Sequence, residues 1–108
     1  MDNEIHPFSV LTPSYIMDAV ESQGHVCDGR ISALNSYENR VYRVGLECGK
    51  NIVVKFYRPN RWSDSTINEE HEFTKELHNL GIPVIAPMTI NNKTLHYFPH
   101  LYYDNNAK

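Results

Sequence analysis

Between residues 30 and 57 the apolar side chains recur with a period close to two, in three runs joined by short polar connections. The runs are "RISALNS" (30–36), "RVYRVGLEC" (40–48) and "IVVKFY" (52–57). Period two sends successive side chains to opposite sides of an extended chain, so each run reads as a half-buried strand. "GKN" at 49–51 supplies turn chemistry. Strands joined this closely make an antiparallel meander the economical topology.

Helix signals flank the meander. In "TPSYIMDAVESQG" (12–24), Thr12 suits the cap, Pro13 the first helical position and Gly24 the position past the end. The helix is expected over about 13–23, with Ile16, Met17, Ala19 and Val20 as its apolar stripe. After the third strand, Pro59 ends the pairing. Ser63 or Asp64 caps a second helix over about 64–80, closed by Gly81, with Thr66 and Glu69 as an alternative capping box. Phe73, Leu77 and Leu80 define its expected apolar face, with Ile67 at the edge. "IPVIAP" leaves in extended form, and "MTINNKTLHYF" (88–98) reads as a hairpin about Asn91-Asn92-Lys93. Residues 99–108, ending in "YYDNNAK", read as an irregular tail. The fold class is therefore α+β: an antiparallel sheet of about five strands, a helix across it, and an additional N-terminal helix.

A chain of 108 residues is one domain at most, or a piece of one. Its net charge of −3 gives no general attraction to nucleic acid or to an anionic membrane. The densest basic group, Lys55 with Arg58 and Arg61, is too small to change that. No stretch approaches the roughly 20 apolar residues of a membrane span, and "MDNEIHPFSV" lacks the basic-then-apolar order of a secretion signal. Cys27 and Cys48 are isolated thiols, which fits a reducing, cytoplasmic location. Six histidines fall without ligand spacing, so no metal site is expected from them. Acyl-transfer chemistry has no GxSxG word to rest on.

Three features could carry chemistry. Lys55 follows Ile52, Val53 and Val54 in a strand and shares a face with Val53 and Tyr57. It is either a solvent-facing lysine on a one-sided sheet or a cation aimed into a site. The second reading needs a carboxylate, because an unpaired buried ammonium costs about several kcal/mol. Glu70 lies close to the centre of the expected apolar face of the second helix and is one such partner; the alternative is a glutamate reaching solvent at the rim. Residues 35–39, Asn-Ser-Tyr-Glu-Asn, form either a plain hairpin loop, the reading favoured for the loop alone, or a polar turn that presents backbone N–H groups and a hydroxyl to phosphate. The turn holds no glycine and matches neither a P-loop nor GxGxxG.

In sequence order, "LNSYENRVY", "VVKFYRPNRW", "EEHEF" and "PVIAP" closely resemble the bacterial stress response kinase A family. These are cytoplasmic serine/threonine protein kinases with an aminoglycoside-phosphotransferase-like fold, and the likeness runs from about Met17 to Leu95. The resemblance implies a kinase N-terminal lobe over residues 1–98 with ATP as its ligand. It implies that Lys55 holds the nucleotide phosphates, that Glu70 orients Lys55, and that Ser36, Tyr37 and Asn39 belong to the phosphate-covering turn. A complete member would use Mg2+ and phosphorylate a protein. The family's His-Gly-Asp word with its downstream Asn does not occur in these 108 residues, nor does the later metal-binding aspartate. Asp104 reads as a tail residue with no fold around it. The chain alone is accordingly expected to be inactive, as a fragment left by truncation or frame shift. The alternatives are a standalone nucleotide- or partner-binding module and a lobe of a small-molecule kinase of the aminoglycoside or choline type.

Overall fold

The three alternating runs pair as an antiparallel meander in the computed structural model, which describes residues 8–34, 39–59, 62–98 and 101–107. They form β1 (Cys27–Leu34), β2 (Arg40–Leu46) and β3 (Asn51–Phe56). The β2–β3 register sets Val41 opposite Lys55 and Tyr42 opposite Val54. Strand β1 begins three residues before the expected Arg30, because a bulge between Cys27 and Ile31 absorbs a register shift. Gly29, at φ 98°, supplies the backbone conformation for it.

Both helices start where their caps place them. Thr12 accepts a hydrogen bond from Tyr15 N at 3.1 Å and opens α1 (Pro13–Glu21), which stops two residues short of the expected end. Ser63 accepts from Thr66 N at 3.1 Å and opens α2 (Asp64–Asn79). None of the helices among the described residues is long and apolar enough to cross a membrane.

The C-terminal third departs from the expectation. Asn91 and Asn92 do form a left-handed two-residue turn, at φ 54° and 64°, closed by a bridge between Ile90 and Lys93. The run before that turn is not a strand. The remaining strands are β4 (His96–Phe98) and β5 (Leu101–Ala107), and the sheet order is β1-β2-β3-β5-β4. The tail expected to be irregular is thus an interior strand from Leu101 onward. Its Asp-Asn-Asn segment has poor strand propensity. Insertion between β3 and β4 nevertheless pairs its backbone on both sides and buries Tyr103 opposite Phe56 and His96, and this tertiary gain prevails.

Each face of the sheet has its own helix. On one face Ile16, Ala19 and Val20 of α1 pack against Val44, Ile52, Val54, Phe56, Leu101 and Tyr103. The Tyr103 hydroxyl donates to Ala19 O at 2.8 Å, tying helix to strand. Asn105 opposes Val54 on this face, fully buried, with no partner for its side-chain amide among the described residues. On the other face α2 rests on a small apolar cluster of Tyr57, Ile67 and Leu95, with His71 buried beside it.

That arrangement corrects the expected face of α2. Phe73 and Leu80 are 60% and 76% exposed, and the buried side is Ile67 and His71. The sheet beneath α2 presents Lys55 and Asp104, so a histidine that bonds to a carboxylate packs there in place of a phenylalanine. Phe56→Ala is expected to cost about 3–5 kcal/mol in urea unfolding, whereas Phe73→Ser should stay within about 0.5 kcal/mol of the parent. Equal losses for the two would contradict the assigned faces.

Candidate functional site

Alternation along β3 turns Ile52, Val54 and Phe56 toward α1 and leaves Lys55 on the α2 side. Its side chain is 32% exposed and opens on a cavity of about 190 Å3. Asn39, Tyr57, Trp62, Thr66, Ile67 and Glu70 line the same cavity. The fold therefore brings Lys55, Glu70 and Asn39 together, from a strand, a helix and the end of the β1–β2 connection. Ser36 and Tyr37 lie outside the described residues. Asn39 Oδ1 accepts from Arg58 N at 3.3 Å, linking that connection to the end of β3. A larger open groove of about 770 Å3 between α2 and residues 89–97 touches neither Lys55 nor Glu70.

Glu70 is exposed at the cavity rim, and the carboxylate within ion-pair reach of Lys55 among the described residues is that of Asp104. Lys55 and Asp104 face each other directly in the β3–β5 register, with Nζ 3.9 Å from Oδ2. The Lys55 ammonium also stands 5.0 Å from the centre of the Tyr57 ring, at cation–π distance.

Asp104 is 1% exposed, and polar groups surround it. Its Oδ2 accepts the Tyr57 hydroxyl at 2.5 Å and faces His71 Nε2 at 3.1 Å, while Oδ1 accepts Asn106 Nδ2 at 2.9 Å. A carboxylate only accepts, so His71 carries its proton on Nε2, and Nδ1 meets the Thr94 hydroxyl at 2.8 Å. Burial, then the Asp104 carboxylate, push the Tyr57 phenol far above its ordinary range, which keeps it a donor. Removing a carboxylate from water costs about several kcal/mol. Charge-assisted bonds from Tyr57 and His71 and the nearby Lys55 charge offset that cost.

This hub also fastens α2. His71 joins the helix to β5, and Glu70 is the adjacent residue, so the hub determines where Glu70 stands over the sheet. Sequence reasoning missed Asp104, His71 and Thr94 as site components. The available signal was a lone aspartate set among strand-forming aromatics in "LYYDNN". Neither cysteine offers an activated thiol there: burial pushes Cys27 up to about 11, and Cys48 is on the surface. Among the described residues no group of three or more His, Cys, Asp or Glu could hold a metal ion.

The model of the phosphotransferase enzyme family (APH) matches residues 30–104, from within β1 to Asp104 on β5. The chain belongs to the phosphotransferase enzyme family. It is 47% identical over 95 residues to a serine/threonine protein kinase RdoA of Salmonella typhimurium and, to the same degree, to stress response kinase A of Escherichia coli O157:H7. Each match takes in 88% of this chain and 29% of the relative, so the chain spans under a third of those proteins' length. Among solved structures, an amicoumacin kinase, hAmiN, in complex with AMP-PNP, Ca2+ and Ami superposes with a TM-score of 0.75 at 21% identity. That superposition covers 88% of this chain and 30% of the kinase, and it shows that the fold is a family N-terminal lobe.

Two outcomes test the hub and its surroundings. Tyr57→Phe removes a donor from a buried carboxylate and should cost about 1–3 kcal/mol in urea unfolding; an unchanged midpoint would contradict the network. His96, buried against the Tyr103 ring at 5.5 Å, has its pKa lowered chiefly by burial, with Lys93 and His71 acting in the same sense and Asp104 opposing. The unfolded chain therefore binds a proton near pH 6.5 that the folded chain resists. Stability should be full above that pH and fall as pH descends through the lowered folded value. His96→Phe should flatten that fall in thermal melts between pH 7 and pH 5.

Proposed function

We propose that this chain is the nucleotide-binding lobe of an ATP-dependent serine/threonine protein kinase of the stress response kinase A type. The observation that carries the reading is Lys55 on an interior strand of a phosphotransferase-family sheet, opening on a cavity that α2 edges with Glu70. A strongly hydrated point charge on a rigid strand suits the phosphates of ATP. Asn39 belongs to the same cavity, and Ser36 and Tyr37 are assigned to the phosphate side because they precede it in the β1–β2 connection.

The protein acceptor is supported by the 47% identity to a relative named a serine/threonine protein kinase, and a cytoplasmic setting is part of the same proposal. The amicoumacin kinase favours a second reading, a small-molecule acceptor, through its fold. Acceptor choice lies with residues other than these. Phosphoryl transfer needs a base and metal-binding carboxylates besides the lysine. No His-Gly-Asp word occurs in the 108 residues, so the chain by itself is proposed to bind ATP without transferring its γ-phosphate.

Calorimetric titration with ATP and Lys55→Met provide the test. Loss of a charge-assisted contact should weaken binding about tenfold or more, and labelled γ-phosphate should not reach the chain or an added protein. Equal affinity of parent and Lys55→Met would remove the assigned role of Lys55. Measurable transfer by the 108 residues would overturn their proposed inactivity.

A further inference from the structure

We propose that Asp104 is the positioning carboxylate of Lys55, holding the ammonium from the neighbouring strand while Glu70 stands at the cavity rim. Its functional consequence rests on the reading of Lys55 as a phosphate ligand, but the geometry does not.

Lys55 and Asp104 are directly opposed residues of paired strands. Backbone hydrogen bonds on both sides therefore fix the separation of their Cβ atoms, independently of any helix. Glu70 lies on α2, whose position depends on a few side chains, and its carboxylate is exposed.

Orientation points the same way. Tyr57 and His71 on Oδ2 and Asn106 on Oδ1 hold both oxygens of Asp104, so its plane cannot turn. These donors leave a buried negative charge whose nearest described lysine or arginine partner is Lys55, at 3.9 Å. That distance is an electrostatic contact rather than a hydrogen bond. The ammonium is thus directed by charge, with its N–H donors outside this contact and available to phosphate oxygens. The Tyr57 ring at 5.0 Å supports it from a second side.

Competitive acetylation at pH 8, read by mass spectrometry, reports on the ammonium without any nucleotide. Asp104→Asn keeps the side-chain shape and removes the charge. It should raise the acetylation of Lys55 about threefold or more relative to Lys75 and Lys93, and Glu70→Gln should leave it at the parent rate. No rise in Asp104→Asn, or an equal rise in Glu70→Gln, overturns the proposal.

A reciprocal measurement covers the case in which Asp104→Asn does not fold. In Lys55→Met, a change at a partly exposed side chain, the 13Cγ resonance of Asp104 should move at pH 7 while the 13Cδ of Glu70 stays. The reverse pattern overturns the proposal. Titration with ATP then tests the consequence. Asp104→Asn should weaken binding more than Glu70→Gln does, and Asp104→Glu should restore part of it. Tighter binding by Asp104→Asn would make the carboxylate a competitor of phosphate and refute the positioning role. If the parent binds no ATP while acetylation and resonance shifts behave as stated, the nucleotide reading falls and the pairing stands.

Discussion

A carboxylate with 1% exposure on an interior strand can exist only if the fold delivers donors to it from several directions. Asp104 receives Tyr57 from the end of β3, His71 from α2, Asn106 from its own strand and the charge of Lys55 from across the β3–β5 ladder. Strand β3, strand β5 and helix α2 therefore meet at one group, and the position of each is bound to the other two. The apolar contact beneath α2 is small, Tyr57, Ile67 and Leu95, so the polar hub contributes a large share of what orients that helix.

The two faces of the sheet consequently obey different physics. The α1 face is a conventional core in which area removed from water does most of the work. The α2 face is held by a few directional bonds around a charge. A packed apolar core tolerates little relative movement. The cavity faces the second kind of surface, with Lys55 on the strand and Glu70 on the helix.

Much of this was legible in the sequence, and the omissions share a cause. Periodicity and turn chemistry identified the β1–β3 meander, both helices and the Asn91-Asn92 turn, because each is decided by neighbours in sequence. Resemblance of words to a family pointed to Lys55 and Glu70 as candidates, and the fold sets both on one cavity. The strand β5 was not legible, since its pairing with β3 joins residues about fifty positions apart and its own composition argues for a loop. The buried face of α2 was misread for the same reason. Hydrophobic periodicity assumes an apolar partner, and the partner surface here is a lysine and an aspartate, which selects His71 over Phe73.

Strand β5 carries polar residues toward both helices, Asp104 and Asn106 on one side and Asn105 on the other. Alternation of apolar and polar residues, the usual guide to strand alignment, is therefore nearly silent in this segment. What separates one alignment from its neighbours is ionisation. Asn105 endures the α1 core as a buried neutral amide, at a cost of about 1–3 kcal/mol. A slip of β5 by one residue in either direction would put the Asp104 carboxylate there, far from Lys55, His71 and Tyr57. A single negative charge thus distinguishes the observed alignment of β5 from its one-residue neighbours.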